Sequence, residues 1–304
     1  MPSHLTEFSI EMQPGAERVL VSAHGHVVAA DVHLRDDPRP PILFLHGILT
    51  TVAVAPDLFA TPERESWIAL SLPGHHPGRL APGTKPEALD ADRFADLAEA
   101  ALEAVVGDKP VIAVGWSTGA LAALALAARH PRRVAAVASL AGFANGSRLT
   151  GSIAWLAWLA RGLIGAAGLR SGLWAAGRLP WLHHAIVRTC AADHDAAVAL
   201  PLDSLDRLQH EFAHHSPTDL AVVLAALATL DIDDRLHRIR APTWIAAGGR
   251  DPLVPLDEAR RLAAGIPGAT LTEYEAAGHL AFHEWPTLRD DFAAWRAGLA
   301  EACG

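Results

Sequence analysis

Five short runs, Ile42–Leu45, Trp67–Leu70, Val111–Val114, Val134–Leu140 and Thr243–Ala247, are almost purely apolar. A run with no polar face cannot lie half in water. Each is therefore read as a strand covered on both sides, the pattern of a parallel sheet between helical layers. Helix-forming stretches, Ala91–Val106 and Leu121–Arg129, fall between them, and Pro131 stops the second. Strands alternating with helices predict a doubly wound α/β sheet. Ahead of them, Phe8–Met12 and Arg18–Ser22 read as edge strands. Val27–Val32 follows a His24-Gly25 turn and predicts a hairpin. Thr270–Tyr274 reads as the last strand.

The alternation breaks between Asn145 and Arg240, where the chain is helical in composition and rich in Ala, Leu and Trp, including Trp155, Trp158, Trp174 and Trp181. An insertion of this length between two strands reads as a helical lid. The expected organisation is a core over 1–144 and 241–304, with the lid over 145–240. The lid's Trp-rich stretch, punctuated by Arg161, Arg170 and Arg178, would pack as lid core, wall an acyl chain, or touch a lipid surface weakly.

With 51% hydrophobic residues in 304, the chain can bury a large core. Its 25 basic and 34 acidic residues leave a net charge of −9 with no block rich in lysine and arginine, which argues against nucleic acid and anionic membrane surfaces as partners. Pro110–Ala128 is uncharged and long enough to span a bilayer. However, Gly115, Ser117, Thr118 and Gly119 interrupt its middle, so no integral membrane segment is expected. Two cysteines, Cys190 and Cys303, make no disulfide framework, and Cys190 is expected to be buried. Met1–Gly15 carries Glu7 and Glu11 and lacks a signal-peptide pattern, so a reducing cytoplasm is the expected location. Oligomeric state is not readable.

The uncharged stretch carries the chemistry. Val111–Val114 leads into Gly115-Trp116-Ser117-Thr118-Gly119, and a helical stretch follows. G-x-S-x-G between a strand and a helix holds a serine on a tight, strained turn. Gly115 and Gly119 lack Cβ atoms, so neighbouring backbone can pass close by. Ser117 also falls at a helix N-terminus, where backbone amides favour developing negative charge.

A serine hydroxyl is a weak nucleophile and needs a base that is itself oriented. In a doubly wound sheet these groups come from loops at the carboxyl ends of later strands. Asp251 follows Thr243–Ala247 after Gly248 and Gly249, in a loop stiffened by Pro252 and Pro255. His279 follows the last strand after Gly278, and His283, about one helical turn on, is the weaker competitor. An oxyanion hole would use the Thr118 amide and an amide from the Leu45-His46-Gly47-Ile48 loop, with Ile48 as the expected donor. Gly47 lets that loop turn, and His46 is expected to pin it. Trp116, Leu49 and His75 are the expected pocket residues.

These features resemble the α/β-hydrolase family over nearly the whole chain. The likeness rests on Leu45-His46-Gly47, Leu72-Pro73-Gly74-His75, the Gly115–Gly119 motif, Gly248-Gly-Arg-Asp251, and Gly278-His279 with Glu284 and Pro286 after it. The order Ser, Asp, His matches the family. The resemblance implies an eight-stranded, mostly parallel sheet with a lid after the sixth strand, and a serine hydrolase acting on an ester of a mainly apolar small molecule. Such chemistry needs no metal or organic cofactor. Acyl transfer and thioester cleavage would use the same residues. Two departures stand out: Ser71 where the family often has aspartate, and Ala120 where it often has glycine.

Two rival readings remain. His210-Glu211-Phe-Ala-His214 fits the H-E-x-x-H zinc motif, with His215 adding an imidazole and Asp231 or Asp233 as conceivable third ligands. The other is a non-catalytic binding protein on the same fold. His76, His183 and His184 are expected on the surface or in loops.

Overall fold

The computed structural model describes residues 15–59 and 62–302. The Phe8–Met12 strand and Cys303 lie outside the described residues.

Eight strands form one sheet: β1 (Glu17–Ala23), β2 (His26–His33), β3 (Ile42–Leu45), β4 (Trp67–Leu70), β5 (Val111–Trp116), β6 (Val134–Leu140), β7 (Thr243–Gly248) and β8 (Thr270–Tyr274). Their order is β1-β2-β4-β3-β5-β6-β7-β8. Only β2 runs antiparallel to its neighbours; the pairs from β4 to β8 are parallel. Every residue of β3, β4, β5 and β7 is buried, as runs apolar on both faces require. The β1–β2 turn places His24 and Gly25 at positive φ, which gives the hairpin.

Helices α1 (Ala91–Val106) and α2 (Thr118–Arg129) pack together on one side of the sheet. Asp90 caps α1 by accepting from the Arg93 amide. Six helices lie between β6 and β7: α3 (Gly151–Ala160), α4 (Leu163–Ala176), α5 (Pro180–Arg188), α6 (His194–Ala199), α7 (Leu202–Phe212) and α8 (Pro217–Leu227). The chain ends with α9 (Leu256–Gly265), α10 (Ala281–Glu284) and α11 (Leu288–Ala302). Among the described residues no helix is long and apolar enough to cross a membrane.

Both departures from the family pattern are absorbed locally. Ser71 Oγ accepts from the Ala29 amide at 2.8 Å, while the Ser71 amide donates to Ala29 O at 2.8 Å. Ser71 thus joins the end of β4 to β2. The Ala120 methyl lies where Gly142 leaves room; a Cβ on Gly142 would stand 2.7 Å from it.

Parallel strands leave their carboxyl ends on one edge of the sheet. The loops after β3, β5, β7 and β8 therefore converge there.

Candidate active site

The serine turn is tighter than the sequence suggests. β5 runs through Trp116 and α2 opens at Thr118, not Leu121, so a single residue makes the corner. Ser117 takes φ 57° and ψ −119°, a conformation that costs a non-glycine residue roughly 1–3 kcal/mol. Its amide is anchored to Leu140 O at 2.8 Å. The two motif glycines are sterically required. A Cβ on Gly115 would stand 2.2 Å from Gly119 O, and one on Gly119 would stand 2.0 Å from Leu45 O.

Asp251 and His279 meet across the β7 and β8 loops. Asp251 Oδ2 lies 2.7 Å from His279 Nδ1, and its Oδ1 accepts from the Leu253 and Val254 amides at 2.8 and 2.9 Å. Both Asp251 oxygens are thus engaged, and its side chain is almost wholly buried. A charge-assisted contact on Nδ1 fixes the imidazole so that Nε2 faces away from the carboxylate.

The His279 loop is held on several sides. Glu284 collects the amides of Gly278, Leu280 and Ala192 at 3.2, 3.1 and 2.8 Å. Trp116 Nε1 donates to His279 O at 3.0 Å, and Trp285 Nε1 donates to Gly278 O at 3.0 Å. The indole of Trp116 also lies beside the His279 ring, with centroids 5.8 Å apart. His283, by contrast, is exposed on α10 and outside the cavity that holds Ser117.

The loop after β3 runs beside the serine. A Cβ on Gly47 would lie 3.4 Å from Ser117 Cβ. His46 is fully buried behind this loop. Its Nε2 accepts from the Leu72 amide at 3.0 Å, so the proton sits on Nδ1, which donates to Gly47 O at 2.8 Å. His75 repeats the arrangement. Its Nε2 accepts from the Leu49 amide at 3.1 Å and its Nδ1 faces Pro73 O at 3.1 Å. Burial keeps both rings neutral, with His46 pushed well below the usual imidazole range and His75 down to about 4. Leu49 is at φ 64°, and the Thr50 amide donates to Gly47 O. The Leu49 and Thr50 amides are thus occupied. The Ile48 amide has no partner among the described residues, and the Thr118 amide, at the first position of α2, has no intrahelical acceptor.

A cavity of about 420 Å³ joins these parts. Ile48, Leu49, Trp116, Ser117, Thr118 and His279 line one end with Leu253, Val254 and Leu280, and the insertion supplies most of the rest, chiefly through Ile153, Leu156, Leu159, Leu169, Leu173 and Phe212. Among the described residues no Asp, Glu, Lys or Arg lines it. The size is that of a site for a small organic ligand, about 300–1,000 Å³.

Three expectations need correction, and a fourth, left open, is narrowed. His75 does not face the pocket; it is fully buried behind the Leu49 turn. His183 and His184 are not surface residues. Both are buried on α5, where the insertion folds on itself, and His183 reaches the cavity. For the four tryptophans of the insertion, packing as lid core is excluded, since all four are exposed, and only Trp155 lines the cavity; the apolar wall is made chiefly of leucine and isoleucine. Cys190, expected to be buried, is half-buried against the cavity.

In the zinc-like motif, His210 and His214 stack edge to face at 5.2 Å, but Glu211 is buried and takes a long contact from the Thr51 hydroxyl. Among the described residues no group of three or more His, Cys, Asp or Glu is placed to hold a metal ion.

Sequence reasoning missed the work of Glu284 and His75, and the contact between the insertion and the His279 loop. The spacing of Glu284 after His279 was visible, but which amides it would gather was not.

Comparison with known proteins places the fold in a family. The family model for the alpha/beta hydrolase fold matches residues 40–286. A pimeloyl-[acyl-carrier protein] methyl ester esterase from Chromobacterium violaceum is 31% identical over 223 residues, 72% of this chain and 80% of that protein. One from Aromatoleum aromaticum is 29% identical over 265 residues, 82% and 94% of the two chains. Among solved structures, a thermophilic esterase from Thermogutta terrifontis superposes with a TM-score of 0.72 at 18% identity, covering 93% of this chain and 99% of the other. An enol-lactonase from Burkholderia xenovorans gives 0.70 at 19% identity, covering 93% and 100%. With the family model spanning most of its length, this chain belongs to the α/β-hydrolase family.

Proposed function

We propose that this protein is a serine carboxylesterase that cleaves esters of neutral, mainly apolar small molecules through an acyl-enzyme on Ser117. His279 takes the Ser117 proton as the hydroxyl oxygen attacks the ester carbonyl. Asp251 holds the imidazole in the Nδ1–H form and stabilises the imidazolium. The Ile48 and Thr118 amides stabilise the oxyanion, a contribution of roughly 2.7–4 kcal/mol per donor in comparable sites. Collapse of the tetrahedral intermediate breaks the C–O bond to the leaving alcohol, which receives the proton from His279. Water, deprotonated by the same imidazole, then attacks the acyl-enzyme and releases the acid.

The single observation that carries the reading is the 2.7 Å Asp251–His279 contact, with His279 and the strained Ser117 lining one cavity. The relatives named for methyl ester cleavage support ester as the bond attacked. The insertion over 145–240 acts as the cap that supplies the acyl-binding wall. With no charged side chain in the lining, a free carboxylate or ammonium on the acyl part would be desolvated without a partner, at a cost of several kcal/mol. The two cysteines and the lack of a disulfide framework fit a reducing cytoplasm.

The test is a panel of p-nitrophenyl esters of graded acyl length, with matched thioesters, lactones and ω-carboxy esters. Neutral acyl esters of medium length are expected to have the highest kcat/KM, and ω-carboxy analogues to fall at least tenfold. Preference for ω-carboxy substrates would contradict the reading.

A further inference from the structure

The outer face of the insertion is built unlike the rest of the chain. From residue 150 to residue 192 there is no Asp, Glu or Lys, yet there are four arginines, Arg161, Arg170, Arg178 and Arg188, in a protein of net charge −9. The same segment exposes large apolar side chains. Leu163 and Ile164, at the turn from α3 into α4, are 94% and 91% exposed, and Trp158, Trp174 and Trp181 are more than half exposed. Trp155 and Trp158 are three residues apart on α3 and share a side of that helix. The Arg178 guanidinium lies 4.1 Å over the Trp174 ring, so cation and indole present one surface. Exposed apolar groups in this density mark a surface that meets something other than water.

We propose that the α3–α5 face of this protein docks on the surface of an anionic phospholipid bilayer, with the cavity mouth toward the lipid. Three observations point to this occupant. The first is charge: the net charge of −9 argues against an anionic surface for the chain as a whole, but this segment carries arginines and no acidic residue, so its local charge complements an anionic leaflet. An isologous dimer through the same face would set arginines against arginines with no carboxylate from the patch to neutralise them. The second is chemistry: tryptophan and arginine around leucine and isoleucine are the side chains that settle at the headgroup boundary, apolar parts down and polar tips out. The third is continuity: the exposed residues that line the cavity, Trp155, Gly168, Gly172 and Thr189, all belong to this segment. The cavity thus opens on the apolar face. Among the described residues no helix is long enough to span, so the contact is peripheral.

The test is co-sedimentation of the full-length protein with vesicles of phosphatidylcholine alone and of phosphatidylcholine mixed with phosphatidylglycerol, at low and high salt. Binding to the mixed vesicles is expected, weakened by salt. It should fall about fivefold for each arginine neutralised in Arg161→Gln and Arg170→Gln, and at least tenfold in the double variant L163S/I164S. Neither Leu163 nor Ile164 lines the cavity, so L163S/I164S should keep the parent's turnover of a water-soluble p-nitrophenyl ester and its thermal midpoint. Ser117→Ala should bind vesicles like the parent, which separates this surface from the esterase reading. No binding to either vesicle, equal binding to both, or binding unchanged in L163S/I164S would overturn the proposal. So would a self-associated species, lost in L163S/I164S, that binds no lipid; it would identify a second copy as the occupant.

Discussion

The amide of His279 donates to the carbonyl of Cys190 at 3.0 Å, so the loop that carries the imidazole is hydrogen-bonded directly to the helical insertion. Gly278 makes this approach possible, since a Cβ there would stand 2.3 Å from the Ala192 amide nitrogen. Gly278→Ala must therefore push the insertion and the imidazole apart. Displacements of about 1 Å cost on the order of 10²-fold in rate. Esterase kcat/KM is expected to fall by about that factor while far-ultraviolet circular dichroism stays native. Unchanged kinetics would mean that the insertion does not position His279.

Asp251→Asn keeps an oxygen for the Leu253 and Val254 amides but can present an amide N–H to His279 Nδ1. That reverses the tautomer and removes the stabilised imidazolium. The expected loss in kcat is about 10³–10⁴-fold, with little change in KM, measured by steady-state ester hydrolysis. A loss below tenfold would remove Asp251 from the mechanism.

His75 acts through the loop it holds. His75→Ala frees the Leu49 amide and relaxes a turn that Leu49 occupies at φ 64°. Because the Ile48 amide belongs to the same turn, kcat should drop by about tenfold to a hundredfold with KM nearly constant. A merely structural role predicts lost stability with kcat per folded molecule unchanged, which urea titration alongside kinetics distinguishes.

Burial also makes stability depend on pH. His75, His76 and His183 are each lowered to about 4, chiefly by desolvation. Unfolded histidine titrates near 6.5, so between about pH 6.5 and 4 the unfolded chain binds more protons than the folded one. Their stabilising contribution is present above pH 6.5 and is lost as pH falls toward 4. For the buried His75 and His183 rings the slope is up to about 1.4 kcal/mol per pH unit each. Urea midpoints at pH 7, 6 and 5 should fall progressively, and less steeply in His75→Ala. A flat profile would show that these rings are solvated.

The sheet was legible because burial on both faces leaves little choice of residue, and because apolar runs of four to seven residues bounded by turns have the length of strands rather than of typical core helices. β8 falls at Thr270–Tyr274 and α1 at Ala91–Val106, the limits the pattern predicts. The family membership was likewise readable, since the Gly115 and Gly119 spacing expresses a steric demand. What stayed hidden depends on long-range packing. Nothing local distinguishes a pocket-facing His75 from one that turns back to accept the Leu49 amide. Nor does a pair such as His183-His184 announce that α5 will be covered by α7. The role of the tryptophans stayed open for a related reason: composition gives the apolar content of a helix but not which side its partner takes.

The claim on which the rest depends is that the Ser117 hydroxyl, held on its strained corner, is the acylated atom. The direct measurement is intact-protein and peptide mass spectrometry after incubation with a fluorophosphonate ester, alongside hydrolysis of a short p-nitrophenyl ester. A single adduct on Ser117 is expected, with activity lost in step with labelling. Ser117→Ala should fold normally, take up no label and lose activity by several orders of magnitude, up to about 10⁶-fold. Turnover retained in Ser117→Ala, or labelling of another residue that tracks inactivation, would contradict the account.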